Sequence, residues 1–220
     1  MKEYEKIDTV FNRDINGTKK LILGSYRDET VEFLSGAKWL FTEKIDGTNI
    51  RIHWDGHKVT FGGRTERAEI PKHLLNKLTE IFMTNEAEEL FEQTFGDKEV
   101  ILFGEGYGVK IQKCGGDYRP DVSFILFDVL IGDNYQSREW VEKTATMFGI
   151  EVVPIVCTGT IDDGIRFVMN HPKSTIGKAM MEGVVGRPCV ELKDRRGKRV
   201  IVKIKWEDFK HFCNEAGESE

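Results

Sequence analysis

Residues 43–49 read Glu43-Lys44-Ile45-Asp46-Gly47-Thr48-Asn49. They sit between two stretches of strand character, residues 37–43 and 48–55, so a Lys-x-Asp-Gly turn joins two strands. The turn brings together an amine, a carboxylate and a conformationally permissive glycine. An amine is a nucleophile only after it sheds its proton, so a reactive lysine needs cationic or metallic company. Taken alone, the tetrad fits a solvated hairpin turn equally well.

Outward from this turn, Asp55-Gly56 signals a reversal into a strand at 58–62. Pro71 opens a helix in which Leu74, Leu75, Leu78, Ile81 and Phe82 recur at helical spacing. A second helix is predicted over 86–95. The apolar runs at 100–104 and 123–131 have strand length, and Ser137 introduces a helix over 138–148. Thr160 and Asp163 match a capping box, although Gly164 disfavours the helix behind it. Residues 183–192 and 199–205 read as strands joined by a turn at 194–198. The fold class expected is α+β, with antiparallel sheets flanked by helices. No linker or repeat divides the chain, so residues 1–220 are expected to form a single domain. Only residues 207–220 follow the last chemically suggestive segment, so no C-terminal OB or other accessory domain is expected.

The chain has 220 residues, 40% hydrophobic and 31% charged, which is the profile of a globular protein. Its first residues lack the apolar stretch of a secretory signal, and no run approaches a membrane span. A cytoplasmic location without membrane contact is expected. Cys114, Cys157, Cys189 and Cys213 form no paired motif, which argues against a zinc site or a disulfide framework. His53 and His57 lie around a strand and turn rather than on one helical face. The net charge is −5, yet residues 187–205 hold eight Lys/Arg and only two Asp/Glu. A basic stripe on an acidic body has the look of a phosphate-binding face, or of an ordinary solvated hairpin.

Six segments in fixed order tip the balance towards chemistry. They are Lys44-Ile45-Asp46-Gly47, Gly63-Arg64-Thr65, Phe103-Gly104-Glu105, Phe124-Ile125-Leu126-Phe127-Asp128, Glu182-Gly183-Val184-Val185 and Lys203-Ile204-Lys205. Together they resemble the motifs of the covalent nucleotidyltransferases, meaning ATP-dependent DNA and RNA ligases and mRNA capping enzymes. The likeness is nearest to the RNA ligase 2 type, whose context Thr42-Glu43-Lys44-Ile45-Asp46-Gly47-Thr48-Asn49 matches.

The resemblance implies a nucleotidyltransferase fold, the ATP-grasp-like adenylation domain of ligases. It implies that Lys44 takes AMP from ATP and that Glu43 contacts the adenine edge. Phe127 and Val185 would sandwich the ring, and Glu105 would hold the ribose. Arg64, Lys203 and Lys205 would bind phosphate. Asp46 and Glu182 would bind Mg2+ (or Mn2+), with Asn49 near the metal, and Asp128 would act in the later steps. The implied partner is RNA, with a 5′-phosphate end sealed to a 3′-OH. The alternatives are a DNA ligase, or an adenylating nucleic-acid-binding protein that needs an accessory protein to seal. Two lysines at i and i+2 on a strand share a face, so Lys203 and Lys205 can meet one phosphate.

Overall fold

In a computed structural model, residues 1–215 are described, with side chains through residue 212. The chain divides into two compact units, each discontinuous in sequence. One comprises residues 1–5 and 45–153, the other residues 6–44 and 154–220.

The first unit is built on a sheet with strands β5 (Thr48–Trp54), β6 (Val59–Gly62), β7 (Val100–Gly108), β8 (Val122–Ile131) and β10 (Glu151–Val152). Their order is β10-β8-β7-β5-β6, and the short β9 (Asn134–Tyr135) pairs with β8. All pairs are antiparallel except β10 with β8. Helices α2 (Lys72–Phe82), α3 (Asn85–Phe95) and α5 (Arg138–Met147) fill in the core with the sheet, and a single turn, α4 (Gly115–Tyr118), precedes β8. Leu74, Leu78 and Phe82 recur every four residues along α2 and are all wholly buried. Thr84 and Ser137 cap α3 and α5 by accepting from Ala87 N–H and Trp140 N–H. Trp54 stacks on Phe91 at 5.4 Å, tying β5 to α3.

The second unit carries a five-stranded sheet of β1 (Asp8–Thr9), β4 (Trp39–Glu43), β11 (Ile155–Gly159), β12 (Gly183–Pro188) and β13 (Val202–Lys205). The order is β1-β13-β12-β4-β11, with β1 parallel to β13 and the rest antiparallel. A hairpin of β2 (Phe11–Arg13) and β3 (Leu21–Tyr26) precedes the short α1 (Glu29–Phe33). Helices α6 (Ile161–Met169) and α7 (Trp206–Glu215) place Ile161, Val168 and Phe209 in a core with Trp39, Phe41 and Ile204. The capping box of α6 is present, with Thr160 accepting from Asp163 N–H and the Asp163 carboxylate accepting from Thr160 N–H.

The α+β class with antiparallel sheets and flanking helices is as expected, and the predicted elements fall within a few residues of those observed. The hairpin at 183–205 differs. Its paired strands are shorter than predicted, and between them only an isolated bridge joins Lys193 to Arg199. None of the helices among the described residues is long and apolar enough to cross a membrane.

Candidate active site

In the second unit, β4 is hydrogen-bonded on one side to β12 and on the other to β11. The ladder continues one residue past β4, where Lys44 N–H donates to Gly183 O at 2.9 Å. Gly183 has φ +155°, and a Cβ there would lie 2.1 Å from Ile204 O, so only glycine lets β12 start this close to β13. That start puts Glu182 beside the end of β4.

The Glu182 carboxylate bridges two ammonium groups. Oε2 accepts from Lys44 Nζ at 2.6 Å and Oε1 pairs with Lys205 Nζ at 2.8 Å. Burial pushes the Glu182 carboxyl up, but Lys44 and Lys205 outweigh it and hold the group below the usual carboxylate range. Lys203 alternates with buried Val202 and Ile204 and shares the face of Lys205. Burial first, then the charges of Lys205 and Lys44, hold its ammonium below the ordinary lysine value. Two lysines thus share one carboxylate, and Lys203 is close enough for the charges of both to act on it. Val185 is directly opposite Lys203 in the ladder and is half-buried.

Glu43 is the last residue of β4 and only 2% exposed. Its Oε2 accepts from both Thr175 N–H (3.0 Å) and Thr175 Oγ1–H (2.7 Å). Its Oε1 is buried and has no hydrogen-bond partner among the described residues.

In the first unit, Asn49 faces Glu105 across the β5–β7 ladder. Gly47 lies so close to β7 that a Cβ would sit 2.4 Å from Gly106 O and 2.6 Å from Glu105 Cγ, which accounts for the glycine of the Lys-x-Asp-Gly turn. The Gln112 amide donates to Gly47 O at 2.8 Å, and Asp46 N–H donates to the Tyr118 hydroxyl at 3.4 Å. The β7–β8 ladder slips so that Gly104 faces Leu126 and Phe103 faces Asp128, which leaves Phe127 as the extra residue of a bulge. Phe127 is half-buried, with Tyr4 edge-on at 5.0 Å. Asp128 is wholly buried and accepts a short hydrogen bond from the Tyr4 hydroxyl, so its carboxylate faces protein rather than solvent. Arg64 is exposed, and the preceding carbonyl, Gly63 O, accepts from Nε of the buried Arg51 at 2.7 Å. Arg51 also donates to Met1 O and Lys2 O.

A family model described as RNA ligase matches residues 37–205. The chain belongs to the RNA ligase family. The match spans all six segments that carry the resemblance. Among solved structures, this RNA ligase family chain is similar to RNA ligase of Naegleria gruberi. A variant of that protein with ATP and Mn has 17% identity and a TM-score of 0.61, covering 84% of this chain and 54% of that one. An apo variant gives 17%, 0.61, 86% and 54%. A variant with AMP and Mn gives 19%, 0.61, 84% and 54%. The chain therefore spans about half the length of the structures it matches, and at these identities the likeness establishes the fold.

The basic stripe of this RNA ligase family member is largely neutralised at home. Arg196 pairs with Asp28 and Asp194, and Lys198 with Asp8. Arg199 is 4% exposed and makes a two-pronged ion pair with Glu191, at 2.5 and 2.9 Å. Arg195 projects outward, 96% exposed, and Lys193 is exposed as well. Most charges of the stripe, expected as a phosphate-binding face or a solvated hairpin, thus already have carboxylate partners. Arg199→Ala should destabilise the fold by about 1–3 kcal/mol, since it removes a buried side chain together with its charged hydrogen bonds to Glu191. Arg195→Ala should change stability by less than about 0.5 kcal/mol. Denaturant unfolding of the two variants checks the contrast, and equal effects would contradict it.

Tyr4, Arg51, Gln112, Tyr118 and Thr175 were not legible as site residues. Each contacts a motif segment far from it in sequence, as Tyr4 does Asp128 across 124 residues.

Proposed function

We propose that this chain is an ATP-dependent RNA ligase in which Lys44 carries AMP. The observation that carries the reading is the Lys44–Glu182–Lys205 bridge with Lys203 beside it. Two ammonium groups on one carboxylate, with the Lys203 ammonium near both, are under-neutralised, and a polyphosphate supplies the missing negative charge. In the proposed step, the partly exposed Lys44 Nζ gives up a proton to solvent and attacks the α-phosphate. A P–N bond forms, and the bond to the pyrophosphate oxygen breaks. Glu182 holds Nζ in place, and Lys203 and Lys205 stabilise charge on the phosphates. AMP then passes to a 5′-phosphate of RNA, and a 3′-OH displaces it.

Roles for the first unit's residues follow the resemblance: Glu105 for the ribose, Phe127 for the base, Arg64 for phosphate, and Asp128 for the later steps. Val185 is the proposed second face for the base.

Asp46 and Glu182, with Asn49 beside the metal, are the proposed oxygen ligands for Mg2+ or Mn2+. Hard carboxylate oxygens suit these ions, which keep several waters. When bound, the ion would draw charge from the phosphates of ATP.

Incubation with α-labelled ATP and a divalent metal, followed by a denaturing gel, tests the reading. A band at the mass of the protein is expected, with chase of the label onto 5′-phosphorylated RNA. A protein that stays unlabelled over a range of metals and pH would overturn it. If Phe127 stacks on the base, Phe127→Ala should raise the KM for ATP about 5–100-fold with unfolding still cooperative. A wild-type KM combined with a lowered melting temperature would show that the ring serves packing alone.

A further inference from the structure

We infer that Thr175 sets nucleobase selectivity, by locking the Glu43 carboxylate so that one oxygen is left to read the base. The inference rests on the adenylation reading above. Glu43 and Lys44 are consecutive at the end of β4. Alternation sends their side chains to opposite faces, with Glu43 on the side of Phe41. Base and α-phosphate are opposite ends of a nucleotide, so this divergence suits one residue to each end.

Thr175 lies in a loop closed by Ser174 N–H donating to Ala179 O and Met181 N–H donating to Pro172 O. From there its backbone N–H and its hydroxyl both donate to Glu43 Oε2. A backbone N–H can only donate, so this side of the carboxylate must remain an acceptor. Oε1 is buried and has no donor among the described residues. A polar oxygen buried without a donor is costly unless a ligand supplies the hydrogen bond. The 6-amino group of adenine is such a donor. The 6-oxo group of guanine is an acceptor and meets Oε1 with repulsion.

The geometry makes an unusual prediction for Glu43→Gln. Thr175 N–H forces the amide oxygen into the Oε2 position, so the amide NH2 takes the Oε1 position. An acceptor for the base becomes a donor. Use of ATP should fall about 10–100-fold, and the GTP-to-ATP ratio of self-labelling should rise at least about tenfold. Thr175→Val removes the hydroxyl donor at nearly constant shape. It should raise the KM for ATP about 3–10-fold, leave kcat near wild type, and narrow the preference for ATP over GTP. Thr175→Ser should restore all three. A loop that served only packing would leave base selectivity unmoved.

The experiment measures self-labelling of the four proteins with α-labelled ATP and GTP, with melting temperatures alongside. A relative gain of GTP use by Glu43→Gln, together with the Val loss and Ser rescue, supports the inference. Unchanged ATP/GTP selectivity in Thr175→Val, or no relative gain of GTP use in Glu43→Gln, overturns it while adenylation stands. Failure of the wild-type protein to label with either nucleotide sinks the underlying adenylation reading instead.

Discussion

Lys44→Ala is expected to reduce covalent AMP labelling by at least ~10³-fold, because no other group replaces the attacking amine. The variant should stay folded. Lys44 is one of two partners of Glu182, and Lys205 remains at 2.8 Å to hold the carboxylate. Its cost in stability should stay within about 1 kcal/mol, as for other partly exposed ion pairs. Gel labelling with α-labelled ATP and a parallel melting curve make the measurement. Labelling at the wild-type level would remove Lys44 from the mechanism, and loss of the folded baseline would leave its fate to be judged with Lys44→Arg.

The second large effect is expected at Glu182. Glu182→Ala leaves the Lys44 and Lys205 ammonium groups facing one another without their shared anion. Misplacement of a nucleophile by about 1 Å costs about 10²-fold, so adenylation should fall by at least that factor. Glu182→Gln, which keeps the shape and loses the charge, separates geometry from electrostatics. The pH dependence has a definite sign. The folded carboxyl titrates below its ordinary value, so the unfolded chain binds more protons in the window between the two values, and stability rises with pH there. In chelator-treated protein, the stability advantage of wild type over Glu182→Gln should be constant above about pH 5. It should shrink as the pH falls through the depressed value. An advantage that grew on acidification would contradict the bridge, as would retention of full adenylation by Glu182→Ala.

Much of the fold was legible in the sequence because its signals are local. The four-residue recurrence of Leu74, Leu78 and Phe82 specified α2, and Thr160 with Asp163 specified the start of α6. The turn at 194–198 was also correctly read, since Asp194 N–H donates to Lys198 O at 2.7 Å. Charge counting was less informative. It registered the charges of 187–205 but not Asp8 and Asp28, which the fold brings against its basic residues.

By itself, the sequence determined many of the element types, though not β2, β3, β11 or α7, as well as the α+β class and, through the order of six motifs, the RNA ligase family and the lysine on which its chemistry is proposed to centre. Periodicity, capping and turn chemistry act over a few residues, so they can be read along the chain. Only the tertiary structure decided that β4 lies between β12 and β11, and that the chain divides into two units with residues 1–5 joined to 45–153. It also brought Lys44 to Glu182 across 138 residues and Glu43 to Thr175 across 132. Those contacts depend on where the chain reverses and which strands pair. No local pattern encodes that, because a carboxylate looks the same in sequence whether its partner is water, an ammonium group or the edge of a base.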